Sequence, residues 1–156
     1  MGRRWIAAGA LSWLILVALA SPGLAGDSIY GRVTEVKSAD RVTFDYGEGK
    51  YQLRLVGIEA QREGPIARQA VELVSKLVLD KNVRMRFEGR TANDEMLARL
   101  FTDDPELGIR EVAVELVRAG LARRQKGFDF KYGELAKAER DAQKERRGIW
   151  ATTQPR

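Results

Sequence analysis

The sequence predicts a mainly β fold with added helices, an α+β chain of five short strands and three helices around one core. Three observations carry this. Several short stretches alternate apolar with polar residues, the period of a half-buried strand. Three other stretches place apolar residues at three- and four-residue steps, the period of a helix with one buried stripe. Gly, Pro, Asn and Asp punctuate the joins between them. The chain has 156 residues, enough for one domain with a real core but hardly for two.

Ser28 to Val36 reads as the first strand, with Ile29, Val33 and Val36 turned inward. Lys37 to Arg41 is a turn. From Arg41 to Tyr46, Val42, Phe44 and Tyr46 share one face. Gly47-Glu-Gly-Lys50 is a hairpin turn. Tyr51 to Gly57 follows, with Tyr51, Leu53 and Leu55 on one face, so the first half is a three-stranded meander. Pro65 opens a helix that runs to Leu79, since proline suits a first helical position. Its stripe is Ile66, Ala70, Val74, Leu77 and Val78. Val83, Met85 and Phe87 alternate with Arg84, Arg86 and Glu88 in the fourth strand. Gly89 to Glu95 is polar and turn-rich. Met96 to Thr102 is the fifth strand, and Asp103 to Gly108 a loop. Arg110 to Ala119 reads as a short helix packing through Val112, Ala113, Leu116 and Val117, stopped by Gly120. Leu121 to Arg123 is a brief extended piece. Asp129 is placed to cap a last helix that runs to about Arg147 through Leu135, Ala138 and Ala142. Gly148 ends it, and Ile149-Trp150 packs back. Five strands with a helix between the third and fourth is the layout of an OB-fold barrel, whose exposed face often binds oligonucleotides.

The first 25 residues stand apart. Arg3 and Arg4 precede a nearly unbroken apolar run from Ile6 to Ala20, and Gly23 and Ala25 hold the small-residue positions of a cleavage site. This is the pattern of a secretory signal cut after Ala25. The rival is an uncleaved membrane anchor, for which the run is somewhat short. The expected division is therefore a leader over 1–25, a domain over 26–150 and a tail over 151–156. The expected address is the periplasm or the outside of the cell, without stable membrane association once the leader is gone. The chain has no cysteine, so no disulfide or lipid-linked cysteine holds it. It has no histidine, which excludes imidazole acid–base catalysis, Ser-His-Asp and Cys-His mechanisms, and histidine zinc sites. Carboxylates, arginine, lysine or a hard metal bound by oxygen remain. Without Arg3 and Arg4 the chain keeps 25 basic and 22 acidic residues, net +3. Residues 26–109 carry net −2 and residues 110–156 net +5. The basic C-terminal part suits phosphate or anionic lipid, although interspersed signs also make an ordinary soluble surface.

One stretch concentrates the chemistry. Arg54-Leu-Val-Gly-Ile-Glu-Ala-Gln-Arg-Glu-Gly64 runs from an apolar strand into a charged loop and a helix start. Functional side chains gather on loops held by a rigid scaffold. The stretch is a candidate anion or metal site, or else a solvated connection.

At these residues the chain resembles the staphylococcal nuclease-like, or thermonuclease, family. The resemblance runs from about Ile29 to Trp150. It rests on Arg54-Leu-Val-Gly-Ile-Glu-Ala60, Gly64-Pro-Ile-Ala67, Met96-Leu-Ala98, Leu116-Val-Arg-Ala-Gly-Leu-Ala122, Ala138-Glu-Arg-Asp-Ala142 and Gly148-Ile-Trp150, in this order and spacing. It implies a staphylococcal-nuclease-like barrel and, for active members, calcium-dependent cleavage of DNA and RNA phosphodiesters. Such a reaction needs charge on the phosphoryl oxygens and an activated water.

Residue by residue, the resemblance makes Asp40 the first acidic metal ligand and Arg54 the first arginine. Glu59 replaces an aspartate ligand. Arg62 then stands where the glutamate base belongs, and Glu95 where the second arginine belongs. Around Asp40, Ser38, Ala39 and Arg41 depart from the Asp-Gly-Asp-Thr pattern. A general base contributes about 10²–10⁴-fold, and an arginine on the phosphoryl group about 10³–10⁵-fold. Calcium is therefore expected to bind weakly or not at all, because Arg41 competes with a cation beside Asp40. Glu95 as base with Arg62 on phosphate would be an exchange of roles, and Glu63 is another substitute base. The favoured alternative is an Arg62–Glu95 ion pair over a vestigial pocket. The expectation is a domain with weak or no phosphodiesterase activity that binds nucleic acid or a protein. The alternative is an active calcium-dependent endonuclease with an altered catalytic set. The oligomeric state is open.

Overall fold

The computed structural model describes residues 28–151. The expected leader over 1–25 lies outside the described residues, as does the tail beyond Ala151. Among the described residues no helix is long and apolar enough to cross a membrane.

The strands are β1 (Ser28–Ser38), β2 (Arg41–Asp45), β3 (Lys50–Leu55), β4 (Ile58–Ala60), β5 (Asn82–Arg90), β6 (Met96–Asp104), β7 (Gly108–Glu111) and β8 (Ala122–Arg124). The helices are α1 (Gly64–Val78), α2 (Val112–Arg118) and α3 (Glu134–Lys144), and a single 3₁₀ turn covers Gly148–Trp150. Neighbouring strands follow the order β3-β2-β1-β5-β6-β7. A short parallel pairing of β3 with β6, Leu53 to Met96 through Leu55 to Ala98, closes five of them into a barrel. The predicted α+β barrel with three helices is the observed one. Two elements are added to it: β7, and the small β4–β8 ladder on the side.

Alternation explains why the barrel holds. Val33, Val42, Phe44, Leu53, Met85 and Leu100 are fully buried inside, one or two from each strand. Arg84 and Arg86 fall on the opposite face of β5 from Val83 and Met85. β1 serves two neighbours, β2 and β5, and bulges between Val33 and Glu35 and between Val36 and Ser38 let it bend between them. α1 buries Ala67, Ala70, Val74, Leu77 and Val78, close to the expected stripe, and begins with proline in its first turn.

Three predicted boundaries move, each for a local reason. The strand from Tyr51 does not run on through Gly57. It breaks there, because Gly57 takes φ +80 and turns the chain into β4. The loop over 103–108 is a tight hairpin in which Asp104 Oδ1 accepts from the Glu106 and Leu107 amides, both at 2.9 Å. Its return strand takes Arg110 and Glu111, so α2 begins at Val112 rather than Arg110. α3 ends at Lys144 instead of Arg147, where Arg146 adopts φ +52. Asp129 caps α3 as expected, but from a distance. Gly133 is the residue at the cap, while Asp129 accepts from the Leu135 and Ala136 amides at 3.1 and 3.2 Å.

Candidate functional site

The β1–β2 turn, the end of β3 and the loop before β6 meet at one end of the barrel. Asp40 sits in the two-residue turn between β1 and β2, and its carbonyl accepts the Leu55 amide at 2.8 Å. Arg41 and Arg54 face each other across the β2–β3 ladder. Glu95 ends a turn held by Thr91, whose hydroxyl accepts the Glu95 amide at 3.1 Å. The four side chains form one network. Arg41 Nε donates to Glu95 Oε1 at 2.7 Å, and its Nη2 lies 3.5 Å from Oε2. Arg41 Nη1 is 3.6 Å from Asp40 Oδ2, and Arg54 Nε is 3.5 Å from the same oxygen. The other oxygen of Asp40 accepts from the Ser38 hydroxyl at 2.7 Å. The Glu95 hydrogen bond raises the Arg41 guanidinium above its ordinary pKa, with the charges of Asp40 and Glu95 adding to it.

Two carboxylates and two guanidiniums make this network neutral. Arg41 is the link that the residue-by-residue comparison did not place among the working groups. Its signal was present in the sequence, as a cation next to Asp40, but its partner was not. The favoured expectation of an Arg62–Glu95 pair is corrected here: Glu95 pairs with Arg41. Arg62 and Glu63 enter no ion pair or side-chain hydrogen bond among the described residues. They line a shallow hollow at the start of α1 with Arg68 and Glu72. Glu59 is exposed on β4, opposite Arg123 of β8, in another small hollow with Leu121 and Ile149. The structure thus joins Asp40 to Arg54 directly and to Glu95 through Arg41, while Glu59, Arg62 and Glu63 enter no ion pair among the described residues.

Calcium takes six to eight oxygen ligands. Among the described residues no three acidic side chains are grouped to hold a metal. The one central carboxylate, Asp40, already receives a hydroxyl and faces two guanidiniums. Fixed cations at this range repel a metal as they attract the carboxylate. The residues as arranged around Asp40 do not fit a calcium ion.

A second charged cluster lies on the side of the barrel. Arg99 Nε and Nη2 donate to the two oxygens of Glu111 at 2.8 and 2.5 Å. The Arg99 guanidinium also lies 3.8 Å from the Phe130 ring centre. Burial raises the Glu111 carboxyl above its usual range despite the pull of Arg99. Burial lowers Arg99, but the Glu111 hydrogen bond and charge outweigh it and raise the guanidinium overall. A bidentate, mostly buried pair of this kind ties β6 to β7 and is a structural tie rather than a site.

Residues 52–152 match the model of the family described as staphylococcal nuclease homologue. The chain belongs to that family. The match begins within β3 and takes in α1, β5, β6 and both later helices. β1 and β2, which bring Ser38, Asp40 and Arg41 to the site, precede it. A curated relative, the "Probable staphylococcal-like nuclease CAN1" of Oryza sativa subsp. japonica, is 29% identical over 107 residues, or 68% of this chain. The matched region spans only 30% of that protein's length.

Proposed function

We propose that this nuclease-family domain is an exported binding module for nucleic acid, with weak or no phosphodiesterase activity. The observation that supports it most is the Arg41–Glu95 pair. Catalysis on a phosphodiester relies on cations aimed at the phosphoryl oxygens and left uncommitted until substrate arrives. Here the carboxylate of Glu95 already occupies Arg41, and Asp40 lies between both arginines. A phosphate entering this pocket has to displace an internal anion. Among the described residues the carboxylate that pairs with Arg54 is Asp40, which Arg41 and the Ser38 hydroxyl also engage, and Arg62 stands where the resemblance puts the base. Export is supported by the leader-like first 25 residues, and binding to nucleic acid by the family and the net +5 over residues 110–156. Calcium binds weakly or not at all in this account.

The second function, an active calcium-dependent endonuclease with an altered catalytic set, is favoured by Arg54, whose side chain is 40% exposed. Protein rather than nucleic acid as the partner is the other outcome. Fluorescence anisotropy of a labelled oligonucleotide, titrated with protein over a range of salt, separates a nucleic-acid partner from a protein one, and a cleavage assay separates binding from hydrolysis. Binding that weakens steeply as salt rises supports phosphate contacts. Absent or salt-insensitive binding contradicts the nucleic-acid assignment and turns the search to proteins.

A further inference from the structure

The neutral pocket raises the question of where a polynucleotide would be held. The outer face of β1, β5 and β6 has the needed chemistry. Tyr30 lies beside Arg84 in the β1–β5 register, and Arg84 lies beside Phe101 in the β5–β6 register. The three side chains form a row across the sheet. The Arg84 guanidinium sits 4.6 Å from the Phe101 ring centre, and Arg99 approaches the same ring at 5.2 Å. Tyr30 is 65% exposed and has no role in the core. Arg32, two residues along β1 from Tyr30, and Arg84 enter no ion pair and no side-chain hydrogen bond among the described residues. This sets them apart from Arg41, Arg99 and Arg110, each of which is bound to a carboxylate. Arg86 extends the row toward Ser28, partly held by Glu88 at 3.4 Å. Phe101 also forms a wall of a groove of about 640 Å³ between the β6–β7 hairpin and α2 and α3. The face therefore continues into a concave track.

Exposed aromatic faces flanked by cations that lack internal partners are how proteins hold unpaired bases and their phosphates. Tyr30 and Phe101 are two strands apart, about 10 Å at the usual strand spacing, with an arginine between them. Duplex bases are stacked on each other and offer no free face to such rings. We propose that this outer sheet face is a second site of the domain, specific for single-stranded polynucleotide. Tyr30 stacks a base, Phe101 backs the Arg84 guanidinium, and Arg32, Arg84 and Arg86 hold phosphates. The proposal rests on the nucleic-acid function above and assigns it a surface.

The test is anisotropy with labelled oligo-dT and oligo-U on the full chain, comparing Tyr30→Ala, the double change Arg32→Ala with Arg84→Ala, and Arg54→Ala. Tyr30→Ala is expected to weaken binding about tenfold, the usual loss for one stacked base. The arginine pair should flatten the salt slope by about two. Arg54→Ala should matter less than either. DNA and RNA should bind alike, and an unlabelled duplex should compete poorly. Because Tyr30 and the arginines lie outside the core, circular dichroism should show unchanged folding in each variant. Wild-type binding that ignores the face variants but is lost in Arg54→Ala would overturn this site while leaving the nucleic-acid function standing. No wild-type binding to either oligonucleotide would overturn both.

Discussion

Glu95 is the residue on which the pocket turns. It neutralises Arg41, and through Arg41 it shares the field around Asp40 and Arg54. Glu95→Gln keeps the shape and removes the charge. It is expected to free Arg41 for phosphate, tighten oligonucleotide binding and steepen the salt slope by up to about one, read by anisotropy across salt. An unchanged slope would mean that the pocket takes no part in binding. The family resemblance puts Asp40, Arg54 and Glu95 in one site. It missed their connection, because Arg41 and Glu95 are 54 positions apart and only the closed barrel brings them together. Tyr46 gives a separate check on the other end of the barrel. Its hydroxyl hydrogen-bonds that of Tyr51 at 3.3 Å, the rings stack at 5.1 Å, and this bond first, then burial, pushes its pKa up to about 12. A raised tyrosine pKa stabilises the fold below the ordinary value near 10, and that contribution is lost as pH climbs toward 12. An ultraviolet tyrosinate titration should show one late-ionising tyrosine, and Tyr51→Phe should bring it back toward 10.

Elements are joined here by close backbone contacts that periodicity does not reveal. At Gly57 a Cβ would fall 2.5 Å from the Phe128 ring and 2.8 Å from Leu135, and the residue holds φ +80. Gly57→Ala is expected to destabilise the fold by about 1–3 kcal/mol through strain and overpacking together, read as a lowered denaturant midpoint. Gly120 and Gly148 press against each other's backbone, and the Ile149 amide donates to the Gly120 carbonyl at 2.9 Å. The sequence showed these two glycines as helix stops. Gly120 follows the end of α2, but α3 ends earlier, at Lys144, and Gly148 instead opens the 3₁₀ turn where the two segments cross. Asp129→Ala should cost about 1 kcal/mol by leaving the α3 amides of Leu135 and Ala136 unpaired. A thermal melt that fails to move would place those amides in contact with water instead. The β6–β7 hairpin is hidden in the sequence, where Asp103 to Gly108 reads as a loop and Arg110 and Glu111 as a helix start, although Gly108–Glu111 pairs with β6. Their pairing is supplied by the neighbouring strand rather than by their own pattern.

At the scale of the whole molecule, the barrel was legible from the order of the elements, and the strand pair that closes it was not. Alternation in β1, β2, β3, β5 and β6 fixes which side chains enter the barrel, and the stripes of α1, α2 and α3 fix which helix faces cover it. Whether β3 and β6 pair is a long-range matter of three residues on each strand, and no local signal encodes it. That pairing brings Glu95 into reach of Arg41. We propose that the Arg41–Glu95 pair made by this closure leaves the pocket unfit to cut a phosphodiester. This is tested most directly by cleavage of single-stranded DNA with the purified protein, with calcium and with chelator, beside an Arg54→Ala control. Intact single-stranded DNA is expected in either condition. Calcium-dependent cutting that Arg54→Ala abolishes would contradict it, and would mean that the charge network opens to admit substrate and metal.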